Sequence, residues 1–220
     1  MDGTQGAGGQ YIEAGVPRRA LMTLLNWASW RNILIAWVAL VAFSVVAMEP
    51  AYSRLRGFSG GAEALDLLIV YRPDKAYDMI AAYGEQGRRY YATITLTLDV
   101  IFPFLSALTF GLTLARVFRR AFSNEGALHR AIFVPVGAMV ADFLENAGLI
   151  TMLLSYPRRL TIIALLASSF STVKWTAVAA ESLLVLIGLI AWFVNARLGR
   201  SPHQSGIPEH ARDSDIEKAG

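Results

Sequence analysis

An apolar run over residues 131–156 carries two carboxylates and an amide at its centre, in the stretch Val140-Ala-Asp-Phe-Leu-Glu-Asn-Ala-Gly148. A helix needs about 20 mostly apolar residues to cross a bilayer, and this run is long enough. An ionisable side chain near the bilayer centre costs roughly 2.5–3.5 kcal/mol on insertion scales, so it faces a protein interior or a wet cavity. This one stretch therefore predicts a polytopic membrane protein with a polar interior.

The rest of the chain agrees. Only 17% of residues are charged and 55% are hydrophobic, whereas a soluble domain carries about 25% charged residues. With no cysteine, disulfides and thiolate chemistry are excluded. The net charge is +3. The basic residues flank apolar runs in ones and twos and build no basic face, which argues against nucleic acid as a partner. The partner that composition does imply is the lipid bilayer.

Hydropathy divides the chain into four transmembrane helices in an all-α bundle, at about 33–48, 92–118, 131–156 and 160–194. Residues 1–17 and 196–220 read as disordered termini. An amphipathic lead-in over 18–32 places Trp27 and Trp30 at interface depth, and Glu49-Pro50 is expected to end the first helix. The connection over 51–90 is long. Residues 62–70 can form one short helix, Pro73-Asp74 starts a second, and Gly84-Glu-Gln-Gly87 stops it. It reads as a connector resting on the headgroups in preference to a cap over a cavity mouth. In the second span, Pro103 removes a backbone donor and frees a carbonyl near Asp99. His129 lies outside the apolar run and reads as a solvated interfacial residue. The last apolar segment exceeds one bilayer crossing and must tilt, project or break near Ser168–Thr172. Four spans put both termini on one side, and the distribution of arginine and lysine favours the cytoplasm.

Register ties the third and fourth spans together. The turn between them centres near residue 158, and Asp142 and Lys174 each lie sixteen residues from it. At 1.5 Å per residue both sit about 24 Å from the turn, so an Asp142–Lys174 ion pair is expected. Asp142, Glu145 and Asn146 share a helix face. Glu181 falls on the face of Lys174, with Trp175 beside it. Asp99 and Glu145 are expected to meet at similar depth, with hydrogen bonds from Ser168, Ser169, Ser171, Thr172 and Thr95 or Thr97.

Two interpretations follow. Buried polar groups can lock helix register. Against that, four acids (Asp99, Asp142, Glu145 and Glu181) face one evident base, Lys174, and the excess points to a site. The span holds no histidine beside its carboxylates, so a di-iron bundle centre is not expected. Nothing in the sequence implies another metal or a cofactor. The glycines and alanines around Gly137 and Gly148 are expected to permit close helix contact.

The elements Gly87-Arg-Arg-Tyr-Tyr91, Asp99-Val-Ile-Phe-Pro103, Ala141-Asp-Phe-Leu-Glu-Asn146, Tyr156-Pro157 and Lys174-Trp175 resemble a group of small microbial four-helix membrane proteins with an Asp-x-x-Glu-Asn element in the third helix. The resemblance covers about residues 33–195. It implies the topology and the choice of polar residues, and no reaction.

The leading functional expectation is an intramembrane acidic site that binds a hydrophobic or amphiphilic small molecule. Asp99, Asp142 and Glu145 are the candidates for acid/base chemistry on it. Asn146, Lys174, Trp175 and Glu181 are candidates for ligand binding or a structural network. A proton-coupled small-molecule carrier and a non-catalytic membrane assembly subunit are the alternatives.

Overall fold

The computed structural model describes residues 23, 26–122 and 125–198, with the side chains of 125–130 and 133 left aside. The expected disordered N-terminus (1–17), most of the expected disordered tail (196–220), most of the amphipathic lead-in and the side chain of His129 lie outside these residues; residues 196 and 197 of that tail are instead the end of the last helix. All regular structure among them is helical. We label the helices α1 (Trp30–Phe43), α2 (Glu49–Phe58), α3 (Pro73–Ala82), α4 (Gly84–Ala121), α5 (Glu125–Ser155) and α6 (Thr161–Arg197). Four stretches are long and apolar enough to cross a membrane: Trp30–Phe58, Gly84–Ala121, Val134–Ser155 and Thr161–Arg197. The chain is thus a multi-pass membrane protein with an all-α bundle fold.

The first span does not stop at Glu49-Pro50. It passes through a π-helical turn, Ser44–Met48, and continues as α2. In that turn the Glu49 N–H donates to the Ser44 carbonyl, five residues back. The wider turn comes directly before the proline, whose ring cannot serve an α-helical register. The second span starts at Gly84, earlier than hydropathy suggests. Gly84 has φ +64° and breaks the chain between α3 and α4. Gly87 is no stop: it sits inside α4, where a Cβ would come within 2.9 Å of Phe58 Cβ. The segment 62–70 yields only a 3₁₀ turn, Leu65–Leu67.

The second, third and fourth spans form the packed body, and the first span leans mainly on the second. Thr109 Oγ1 donates to the Ala36 carbonyl and Trp37 Nε1 donates to Thr113 Oγ1, holding α1 against α4. Gly148 lets α5 and α6 approach closely. A Cβ there would lie 2.9 Å from Ala167 Cβ and 3.5 Å from its Cα. Gly137, by contrast, faces open space and makes no such contact. Gly148→Val is therefore expected to cost about 1–3 kcal/mol by overpacking, whereas Gly137→Ala should leave stability unchanged. Thermal midpoints of the two variants in detergent micelles check this pair.

Arginines at both ends of α4 set its depth. Arg88 and Arg116 are 28 residues apart, about 42 Å along a helix, which matches a bilayer with its headgroups. Two apolar clusters fill the ends of the bundle. One groups Tyr52, Leu55, Leu65, Ile80 and Tyr91 with Leu149, Met152 and Ala164 on the connection side. The other groups Ile33, Ala36, Leu112, Phe118 and Ile132 on the side of the termini. The cavity described next lies between them.

Candidate functional site

The connection enters the bundle. Leu65 and Asp66 are buried at 0% and 3% exposure. From there the chain runs extended and antiparallel to α6, where side chains satisfy its backbone. Ser168 Oγ accepts from the Tyr71 N–H at 2.9 Å, Ser171 Oγ donates to the Leu68 carbonyl at 2.5 Å, and Thr172 Oγ1 donates to the Ile69 carbonyl at 2.9 Å. Non-helical backbone at membrane depth persists only when protein groups replace water in this way. α6 runs unbroken through 168–172, and three of its hydroxyls there serve the neighbouring segment. The preference for a headgroup-level connector is corrected accordingly. Ser169, Thr95 and Thr97 do not join the network, since each bonds back to its own helix.

Lys174 organises the polar interior. Its Nζ lies 3.3 Å from Asp142 Oδ1, 2.6 Å from Glu145 Oε2 and 3.0 Å from the Asp66 carbonyl. An ammonium has three donors; two of them hydrogen-bond here, to Asp142 Oδ1 and to the Asp66 carbonyl. The Glu145 contact is an ion pair by distance but is too poorly aligned to be a hydrogen bond, and both Glu145 oxygens keep unused acceptor capacity. Trp175 Nε1 also approaches the Asp66 carbonyl, at 3.4 Å. The two side-chain oxygens of Asp66 accept from the hydroxyls of Tyr52 and Tyr91.

Asp99 and Glu145 do not form the expected contact. Asp99 shares a cavity with Asp66 and Asp142, whereas Glu145, fully buried, faces Lys174 and is not part of the cavity wall. Asn146 takes the position on α5 that faces α4. Its Nδ2 lies 3.4 Å from the Asp99 carbonyl, which Pro103, four residues on, leaves without its helical donor. Asp99 is eleven residues from Arg88, which puts it about 10 Å inside the hydrocarbon boundary. Glu181 is 1% exposed, does not line this cavity, and its Oε2 has no hydrogen-bond partner among the described residues.

The cavity measures about 480 Å³. Its polar end carries Tyr52, Asp66, Asp99, Asp142, Lys174 and Trp175; the rest of its wall is mainly apolar, from Leu40, Val45 and Met48 to Phe102, Phe110 and Met139, with Ser44, Glu49 and Ser106 among them. Val41 and Val45 on the first span are also more than half exposed, so the cavity edge meets the lipid-facing surface. Trp30 and Trp192, with ring centroids 5.6 Å apart, bring the first and fourth spans together at the other end.

Sequence reasoning missed Asp66, Tyr52 and Tyr91. Asp66 left the kind of signal that Asp142 did, an acid within an apolar run, Ala64-Leu-Asp-Leu-Leu-Ile-Val70. Two further connection tyrosines are held neutral. Burial, reinforced by Glu145 and Asp66, pushes the Tyr71 hydroxyl well up, and burial with Asp66 and Glu63 nearby does the same to Tyr83, which donates to the Glu63 carbonyl at 2.6 Å. No group of three or more histidine, cysteine or acidic side chains among the described residues is placed to hold a metal ion.

No family model, curated protein or solved structure matches the chain.

Proposed function

We propose that the protein binds a hydrophobic or amphiphilic small molecule in this cavity, which the ligand enters sideways from the bilayer between the first and fourth spans. One observation carries the reading. A single cavity joins an apolar wall that reaches the lipid-facing surface to a polar end built from three carboxylates, a lysine and a tryptophan. Ligand sites combine mainly apolar walls with a few convergent polar groups in this way. If chemistry follows binding, Asp99 and Asp142 are the acid/base groups within reach of the ligand, and Glu145 acts behind the wall through Lys174.

The test is photolabelling in liposomes with a diazirine-bearing alkyl probe. Labels are expected on first-span residues 40–48 and on Met139. Ala107 lines the same cavity, and Ala107→Trp fills it, so labelling there should fall by about tenfold, a loss of roughly 1.4 kcal/mol. Labelling that is indifferent to Ala107→Trp would sink the proposal.

A further inference from the structure

We infer that the ligand carries a cationic amine headgroup seated at Asp99, with Asp142 beside it. The inference rests on the binding reading above and adds the chemistry of the headgroup. It starts from which polar groups at the cavity end are already committed. Lys174 already hydrogen-bonds to Asp142 and the Asp66 carbonyl and is ion-paired with both Asp142 and Glu145, so its charge is matched twice over within the protein. Both oxygens of Asp66 accept from tyrosine hydroxyls. Asp99 is 5% exposed, lines the cavity and forms no ion pair with any described cation. Lys174 is the one described cation at this end against Asp66, Asp99, Asp142 and Glu145; Asp142 and Glu145 pair with it and Asp66 accepts from two tyrosines, whereas Asp99 has neither kind of partner.

The walls agree with a cation. Trp175, Phe102 and Phe110 line the same space, and aromatic faces attract ammonium groups most strongly once these are desolvated. A phosphate or carboxylate headgroup would meet Asp66, Asp99 and Asp142, which outnumber the single ammonium of Lys174 in the wall. A neutral hydroxyl can donate one hydrogen bond to Asp99 but brings no charge to offset the excess of acidic groups at this end. The mainly apolar wall that continues from this end suits a cation carried on a hydrocarbon chain.

The test uses the full chain in phosphatidylcholine nanodiscs with the same diazirine probe. Competitors are N,N-dimethyldodecylamine, 1-dodecanol and dodecanoate, each compared at equal membrane-bound concentration. The amine should displace the probe about tenfold more effectively than the alcohol, and dodecanoate should be weakest. Asp99→Asn should abolish the amine preference and keep displacement by the alcohol. Equal displacement by amine and alcohol, or a preference for dodecanoate, overturns the inference and leaves the binding reading standing. If no compound displaces the probe and Ala107→Trp changes nothing, the binding reading falls with it. Should Asp99→Asn fail to fold, the comparison of three competitors on the unaltered chain decides alone.

Discussion

Lys174→Met is expected to be among the most destabilising single substitutions in this chain. The ammonium is the shared partner of Asp142, Glu145 and the Asp66 carbonyl. Removing it leaves two carboxylates close together in a space that excludes water. Breaking a buried ion pair from one side costs about 3–5 kcal/mol, because the remaining charge is uncompensated. The substitution also withdraws a donor from the re-entrant segment, so the loss spreads from α5 and α6 to the connection. Neutralising the acids should reverse much of it: Lys174→Met/Glu145→Gln should recover part, and adding Asp142→Asn should recover most. Thermal melts in one detergent, combined as a mutant cycle, give the coupling. If the triple variant melts as low as Lys174→Met, the ion pairs are not the source of the effect and the methionine simply packs badly.

The order of closeness around Lys174 shows what a sequence can and cannot display. Depth was legible: equal distances from the turn brought Asp142 and Lys174 together, and they lie 3.3 Å apart. Azimuth was less so. Residues 142, 145 and 146 share a face, but small rotations decide which one meets which neighbour, and these depend on how closely α5 and α6 approach at Gly148 and Ala167. Thus Glu145 took the closest place at Lys174 and Asn146 the place facing Asp99. Spans could be counted from hydropathy, yet their ends could not. Proline at 50 and glycine at 87 are breakers by propensity, and a π turn and a close contact with Phe58 overrode them. The cap was weighed and passed over for a connector on the headgroups. Its backbone is held by α6 side chains about a hundred residues away, and no local pattern encodes such a pairing.

Asp66→Ala is the second large effect, and it tests whether the cap is one unit with the site. Two buried hydroxyls, those of Tyr52 and Tyr91, donate to this carboxylate, and the Asp66 N–H in turn donates to the Tyr91 oxygen at 3.2 Å. Each buried polar group left without its partner costs about 1–3 kcal/mol, so the pair predicts a loss of roughly 2–6 kcal/mol. Tyr52→Phe removes one hydroxyl and leaves Asp66 the other, so its loss should be about half as large. The decisive readout is hydrogen exchange over residues 65–71. The Tyr71 N–H bonds to Ser168, not to Asp66, and an independent segment would keep it protected in Asp66→Ala. We expect exchange at Tyr71 to accelerate with the rest. The Asp66 carbonyl shares Lys174 with Asp142 and Glu145, and losing the side-chain anchor lets the segment lift from α6 as a whole. Retained protection at Tyr71 beside fast exchange at Leu67 and Leu68 would separate the cap into two parts. It would confine the influence of Asp66 to the polar end of the cavity.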